Sequence, residues 1–252
     1  MTVIRDALHG GIELSPLEEK IVDSHYLQRL RFIKQLSTVY LVYPSALHAR
    51  FEHSLGTMHL AGKVAGKIGL NENTLSTLRL AGLLHDVGHA AFSHLTDELF
   101  TKMRLGTHEE RGINLVKKTE LASFIKAEGY SLRLLEDFLR GRKQGAVIAG
   151  EIGTDIMDYL LRDGLFTGVG YSHVDVQRLL ETLAYENNEL LIGEKGLVAA
   201  ESLLVSRNFM FNAVYLHPTV RITQAMLVKS IQFGLQDNQV SPSQVIEGTD
   251  DS

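Results

Sequence analysis

The 252-residue sequence has no cysteine, no tryptophan and only four prolines. Without cysteine there is neither a disulfide framework nor a thiolate metal site, so any metal must be held by histidine, carboxylate or water. No apolar run approaches the roughly 18 residues of a membrane-spanning helix, and no secretory apolar region opens the chain. The expectation is a cytoplasmic enzyme or binding protein with no membrane partner. Positive charge is also scarce, 25 Lys and Arg against 30 Asp and Glu. That balance gives no strong nucleic-acid signal while leaving room for a local basic pocket. Repeats and low-complexity stretches are absent. With 44% hydrophobic and 22% charged residues, the composition is that of a globular, helix-leaning protein large enough for a substantial core.

Histidine is what the chain has in excess. There are eleven, and six of them fall within 56 residues, His59 and the five site candidates His53, His85, His89, His94 and His108. Two lie in the stretch around which the chain is organised, Leu80-Ala81-Gly82-Leu83-Leu84-His85-Asp86-Val87-Gly88-His89. Apolar residues fill the helical phases on both sides of His85 and Asp86, so this reads as a helix buried nearly all round. A lone carboxylate there would be driven to neutralise or to find a positive partner, and a divalent cation shared with a neutral imidazole is one answer. On the dipeptide alone, an Asp and a His satisfied by neighbouring backbone is the simpler reading. The rest of the chain favours the cation.

Residues 1–14, with Gly10-Gly11 ahead of Ile12, read as an extended or hairpin lead. The spacing of Leu17, Ile21, Leu27, Leu30, Ile33 and Leu36 predicts two helices with a fresh N-cap near Asp23-Ser24. Gln28, Arg29, Arg31, Lys34 and Gln35 read as a solvated face of the second. Residues 38–45 read as a short strand or a loop. A long helix is expected to open at His53 and run to Ile68. The next delivers His85 and Asp86, with His85 and His89 sharing a face; bringing His94 to the same place requires a turn between Gly88 and Ser93. Thr107 caps a helix that begins His108-Glu109-Glu110. Helices fill residues 113–140 and, after a basic loop at 141–145, residues 146–163. This last helix puts Asp155, Tyr159 and Asp163 on one stripe, with Asp158 and Arg162 as a separate structural pair. Residues 164–172 read as a glycine-rich loop and 174–180 as a helical turn or two. A hairpin is expected around Glu194-Lys195-Gly196, then helices on both sides of Pro218. Ser241-Pro242-Ser243 reads as a new cap, so the natural domain is expected to extend past Ser252.

His53, then His85-Asp86 32 residues on, then Asp155 a further 69 on, form an H…HD…D series of helix-borne ligands. Two imidazoles and two carboxylates suit a borderline or hard divalent ion with positions left for water and a phosphate oxygen. Together with Arg50-Phe51-Glu52-His53-Ser54-Leu55-Gly56 and Asp155-Ile156-Met157-Asp158-Tyr159, the series resembles the HD-domain phosphohydrolases. Ile12-Glu13-Leu14, Gln28-Arg29-Leu30-Arg31-Phe32-Ile33-Lys34-Gln35-Leu36 and the run from His85 to His94 resemble its deoxynucleoside triphosphate triphosphohydrolase (dGTPase-like) branch, from about Ile4 to about Leu227.

The resemblance implies an all-α fold for residues 1–252 as one domain: an HD helical core over about 45–165, a small hairpin element, and a helical extension over about 166–252. It implies hydrolysis of a dNTP to deoxynucleoside and inorganic triphosphate, with one divalent metal (Mg, Mn, Fe, Co, Ni or Zn) held by His53, His85, Asp86 and Asp155. His108 matches the catalytic histidine, with Glu109 as its orienter. His89, His94 and Arg50 match phosphate contacts, His94 counting also among the catalytic groups. Tyr159 and Asp163 match groups facing the sugar, Gln35 a 3′-hydroxyl contact, and Arg207 and Tyr215 other nucleotide contacts. Asp23, Gln28 and Arg31 match an allosteric nucleotide site, and relatives assemble as homo-oligomers, dimers or tetramers. Some positions depart from the family: Ile156 replaces a phosphate-binding lysine, Leu216-His217-Pro218 follows Tyr215 where polar side chains are familiar, and Thr2, Ala213 and Pro218 stand where basic allosteric residues are found. His9, His25, His48, His59, His173 and His217 read as ordinary core or surface histidines. Two rival functions remain. One is an HD hydrolase acting on another phosphoester (a nucleoside monophosphate, a cyclic dinucleotide or an alarmone); the other is a non-catalytic HD protein that senses nucleotides.

Overall fold

The computed structural model describes residues 2–187 and 189–251. It opens with a hairpin of β1 (Thr2–Asp6) and β2 (Gly10–Leu14), antiparallel with Ile4 opposite Ile12. Gly10 turns the chain at φ 74°, a left-handed conformation that costs glycine little. Then come α1 (Pro16–Val22) and α2 (His25–Arg29). Ser15 caps α1 in a reciprocal capping box with Glu18, and Ser24 is the N-cap of α2, so both expected helix starts are present. The second helix is shorter than its apolar spacing predicts. It gives way to 3-10 turns at Leu30–Phe32 and Ser37–Leu41, the latter in place of the expected strand or loop.

Two long helices form the centre. α3 (Arg50–Lys67) begins three residues before His53, its first turn closed by the Glu52 carboxylate accepting the Ala49 N–H at 3.1 Å. α4 (Glu72–Leu84) starts at an Asn71 cap and ends one residue before His85. They run antiparallel, as the close approach of Gly82 to the Met58 backbone and of Gly62 to Arg79 shows. Between them lies a core that includes Leu55, Met58, Ala61, Val64, Leu78, Ala81 and Leu84, all buried.

Around this pair are α5 (His94–Lys102), α6 (His108–Lys118), α7 (Glu120–Ala127), α8 (Leu132–Leu139) and α9 (Ala146–Ala149). Next come α10 (Thr154–Thr167), α11 (Val176–Thr182), α12 (Leu197–Met210), α13 (Pro218–Gln236) and α14 (Pro242–Glu247). The helix expected over 146–163 is in fact two, split where Gly150 and Gly153 flank a bend, and α10 runs on to a left-handed Gly168. A second small hairpin forms, but not around Glu194-Lys195-Gly196. Its strands are β3 (Leu183–Glu186) and β4 (Glu189–Ile192), and Glu194–Gly196 is a 3-10 turn leading into α12. The Asn187-Asn188 dipeptide was the turn signal to weigh; Asn187 has φ 52°. Among the described residues the fold is all-α apart from these two hairpins. No helix among the described residues is long and apolar enough to cross a membrane.

Candidate metal and phosphate site

α3 and α10 present His53 and Asp155 to the C-terminal end of α4, where His85 caps the helix and Asp86 follows. His53 Nε2 lies 3.0 Å from Asp155 Oδ1 and 3.2 Å from His85 Nε2; His85 Nε2 is 3.3 Å from Asp86 Oδ1 and 3.8 Å from Asp155 Oδ1. Ligands about 2.0–2.2 Å from one divalent ion have neighbouring donor atoms roughly 3 Å apart; His53, His85 and Asp86 offer donor atoms all within 4.8 Å of one another, a group that could hold such an ion, and Asp155 lies beside it against His53. Their outer partners support the fit. Asp158 Oδ2 takes the Nδ1 of His53 at 2.8 Å, and the Gly82 carbonyl takes the Nδ1 of His85 at 2.8 Å. Both imidazoles therefore turn Nε2 inward, as oriented ligands do. Without the ion, burial disfavours a charge on His53, yet hydrogen bonds to Asp155 and Asp158 push its pKa up to about 10.

Sequence reasoning took Asp158 and Arg162 for a structural pair and left His9 without a role. In the structure they form one buried network behind the candidate ligands. Asp158 receives Arg162 through Nε (2.8 Å) and Nη2 (3.0 Å) and sits 2.6 Å from His9 Nε2, while Arg162 Nη1 reaches Asp6 Oδ2 at 2.8 Å. Gly56 on α3 leaves room for it, since a Cβ there would collide with Asp158 Oδ1. Burial works against the Asp158 charge, but Arg162, His53 and His9 hold the carboxyl well below the usual range. The i,i+4 spacing gave the pair; the long-range partner His9 left no sequence signal.

The expectation that His85 and His89 share one helix face is not met, because α4 stops at Leu84 and residues 85–93 leave it as turns. His89 nevertheless comes close: its Nε2 is 3.3 Å from Asp86 Oδ1, and its ring stacks on His108 with centroids 4.0 Å apart. A backbone contact sets this stacking. Gly88 packs on the start of α6 so tightly that a Cβ would strike the His108 carbonyl and lie 2.8 Å from Gly112 Cα. Thr107 caps α6 as expected, in a capping box with Glu110.

Glu109 does not orient His108. Asp97 does, its Oδ2 2.7 Å from His108 Nδ1, with Arg111 Nη2 2.7 Å from its other oxygen. His94 Nδ1 lies 3.4 Å from the same Asp97 Oδ2. Burial raises the Asp97 pKa, but hydrogen bonds from His108 and His94 outweigh it and hold the carboxyl far below the usual range. Asp97 is the residue that sequence reasoning missed. It lies three residues after His94, and that spacing was its one available signal. Glu109 is exposed at the pocket edge.

Arg50 is fully buried and commits Nη1 to Asp86 (2.5 Å) and Nε to Ser93 Oγ (2.7 Å), leaving Nη2 without a partner. Arg29, expected on a solvated face, is buried instead. Its guanidinium donates to the carbonyls of His89 (2.5 Å), Gly248 (2.9 Å), Val87 and Ile246 (3.3 Å each), and the same burial lowers its pKa to about 10. Gln28 and Arg31 contact each other at 2.8 Å across the end of α2, and Arg31 stacks on Phe51 at 3.6 Å; Asp23 is exposed.

Two cavities meet at Gln35, His94 and Tyr159. The smaller, of about 150 Å³, adjoins His53, His85, Asp86, His108 and Asp155. A larger one of about 720 Å³ has Leu36, Phe92, Phe211 and Val228 among its walls and Lys102 and Lys229 at its edge. The Gln35 Oε1 is buried without a hydrogen-bond partner. Asp163 and Tyr215 also reach the larger cavity, but Asp163 already accepts from Tyr215 (2.5 Å) and pairs with His48 (2.8 Å), so it is less free to meet a ligand than its place on the Tyr159 stripe suggests. Burial pushes the Tyr159 phenol up to about 12, with the nearby Arg207 opposing. Neither cavity wall includes His89 or Arg207.

Residues 50–163 match the family model of the HD domain, and residues 174–252 that of the HD associated region. An uncharacterized protein of Methanocaldococcus jannaschii is 41% identical over 244 residues, covering 95% of this chain and 51% of that protein. The human deoxynucleoside triphosphate triphosphohydrolase SAMHD1 is 38% identical over 173 residues, 64% of this chain and 27% of that protein. The chain spans about half the length of the curated relatives matched over most of its residues. The crystal structure of a hypothetical protein from Aquifex aeolicus superposes with a TM-score of 0.89 at 36% identity, over 99% of this chain and 69% of that one. The HD match begins at Arg50 and ends at Asp163, so it encloses all four candidate ligands together with the Asp97–His108 pair. With the HD domain over residues 50–163 and the HD associated region over residues 174–252, this chain belongs to the HD-domain family.

Proposed function

We propose that the protein is a metal-dependent phosphohydrolase that cleaves a deoxynucleoside triphosphate into deoxynucleoside and inorganic triphosphate. The observation that carries this reading is His108, held 2.7 Å from Asp97 and lining the same small cavity as the four candidate ligands. A divalent ion held by His53, His85, Asp86 and Asp155 would supply Lewis-acid polarisation of the phosphate. The chain's own groups account for the rest. Asp97 fixes Nδ1 of His108, so Nε2 is the nitrogen that gives a proton to the leaving 5′-oxygen. As water adds at the α-phosphorus and releases one proton to solvent, the bond from that phosphorus to the 5′-oxygen breaks, its electron pair goes to the oxygen, and the His108 proton completes the hydroxyl.

Arg50 Nη2 and His94 are the cationic and hydrogen-bonding groups nearest the small cavity, suited to phosphate oxygens. The larger, mostly apolar cavity would take the nucleoside, with Gln35 Oε1 and Tyr159 at the junction for the sugar. The matched SAMHD1 proteins, described as deoxynucleoside triphosphate triphosphohydrolases, support the substrate class. The deciding experiment is incubation of metal-loaded protein with a panel of dNTPs and NTPs, followed by anion chromatography. Inorganic triphosphate is the expected product. Orthophosphate or pyrophosphate would transfer the reading to another phosphoester, and binding without turnover would make the protein a sensor.

The same resemblance supports a homo-oligomer with little response to nucleotide, since Gln28 and Arg31 already engage each other and the family's basic allosteric positions are Thr2, Ala213 and Pro218. Light scattering with and without millimolar dGTP or GTP tests this; a monomer-to-tetramer switch at micromolar nucleotide would refute it.

A further inference from the structure

The segment around α14 returns to the two chain stretches that wall the candidate substrate cavity. Asp250 Oδ1 accepts the Phe92 N–H at 2.7 Å and Oδ2 accepts the Lys34 N–H at 2.9 Å, while the Asp250 N–H donates to the Phe32 carbonyl at 3.0 Å. One buried carboxylate thus joins residue 34 to residue 92 across 58 positions of sequence. The joint bears directly on the cavity. Lys34 precedes Gln35, and Phe92 precedes Ser93 and His94, all four of Gln35, Phe92, Ser93 and His94 being in the wall. Ser93 continues the link, donating from Oγ to the Lys34 carbonyl at 2.9 Å and accepting Arg50 Nε at 2.7 Å.

The backbone at this point needs external support. Phe92 and Ser93 both have positive φ, 62° and 58°, a conformation that non-glycine residues hold only when their surroundings impose it. The surroundings here are Asp250 on the Phe92 N–H and the Ala91 N–H donating to the Val245 carbonyl at 3.1 Å. Arg29 fastens the same segment through the carbonyls of Ile246 and Gly248. Lys34 Nζ stands 3.9 Å from Asp250 Oδ2, too far to be the carboxylate's main partner. Its two backbone N–H donors are.

We infer that Asp250 is a positioning residue: its carboxylate clamps residues 34–35 to residues 92–94 and so sets Gln35, His94 and the Ser93-held Arg50 for substrate. The substrate part of this inference rests on the phosphohydrolase reading; the clamp itself does not. The test compares Asp250→Ala and Asp250→Asn, the latter keeping one acceptor oxygen, with Val245→Ala, which loosens the same segment by packing alone. Amide hydrogen exchange on the metal-loaded full chain is read first. In Asp250→Ala, protection at residues 34–35 and 92–94 should fall at least tenfold, with an intermediate loss in Asp250→Asn and little in Val245→Ala. Metal content should be unchanged in all three. If the wild type turns over dNTPs, KM in Asp250→Ala should rise about tenfold with kcat within threefold. Unchanged exchange in Asp250→Ala, equal effects in Val245→Ala, or an unchanged KM would each overturn the inference. A wild type without dNTP turnover would instead sink the phosphohydrolase reading, and the exchange measurement would then decide the clamp alone.

Discussion

Asp158→Asn is the substitution whose cost follows most directly from the geometry. The amide retains the carboxylate's shape but loses its charge and one of its acceptors. Arg162 is then left fully buried with Asp6 as its one carboxylate, and the Nδ1 of His53 loses the partner that turns Nε2 toward the other ligands. Removing one partner of a buried ion pair costs about 3–5 kcal/mol, a large share of the roughly 5–15 kcal/mol that holds a domain folded. Loss of an outer partner of a metal-bound histidine lowers affinity by about 10- to 100-fold.

The substitution should also change the acid limb of stability. The Asp158 carboxyl titrates well below its unfolded value, because Arg162, His53 and His9 outweigh its burial. Its contribution is therefore present above about pH 4 and lost as the pH falls through the depressed folded value. Urea denaturation of metal-free protein from pH 3 to pH 7, together with chelator competition for the metal, reads both effects. A loss below about 1 kcal/mol with unchanged metal affinity would refute the claim that the network supports the ligands, because the floor for breaking such a pair lies well above that.

Other expectations bear on the same residues. In metal-free protein His53 titrates near 10, held up by Asp155 and Asp158 against its burial; its contribution to stability should be complete below about pH 6.5 and disappear as the pH rises from there to about 10. Metal binding at Nε2 must displace that proton, so affinity should increase with pH over the same window, and a pH-independent affinity would exclude His53 as a ligand. His108→Ala should keep its metal and lose roughly two to four orders of magnitude in turnover, with Asp97→Asn showing a smaller loss in kcat; a His108→Ala rate within threefold of wild type would move the proton donor elsewhere. Gly88→Ala should destabilise by about 1–3 kcal/mol through overpacking against α6, and thermal denaturation indistinguishable from wild type would show that α6 shifts freely.

The candidate site residues legible in the sequence are those marked by residue type and helical spacing. His53, Asp155 and the His85-Asp86 pair are metal-ligand types, and the structure sets His53, His85 and Asp86 with donor atoms within 4.8 Å of one another and Asp155 3.0 Å from His53. Caps such as Thr107 and Ser241 were legible because their chemistry acts over three residues. Roles that depend on tertiary contact were not. Arg29 looks like any charged residue of a surface helix until residues 87–89 and 246–248 surround it. Asp97, in a helix that also carries Glu98 and Lys102, is marked only by its spacing from His94, which Glu98 shares at i+4, until His108 folds back eleven positions later. The misplaced hairpin has a local cause: Glu194-Lys195-Gly196 and Asn187-Asn188 are both turn-formers, and the apolar run Leu190-Leu191-Ile192 pairs backwards with residues 183–186 rather than forwards.

The hairpin of β1 and β2 alters where the functional unit should be considered to begin. Matched by family resemblance, the HD domain starts at Arg50, and an expression fragment cut there would retain every candidate ligand. It would nonetheless lack Asp6 and His9, the two side chains by which the first strands complete the Asp158–Arg162 network. Such a fragment would have to enclose the buried Arg162 guanidinium with one of its two carboxylate partners removed. Tags and fusions tolerated at residue 2 and deletions up to residue 14 are thus unequal operations: the first adds chain at a strand end, while the second takes away part of the wall against which a candidate metal ligand is held.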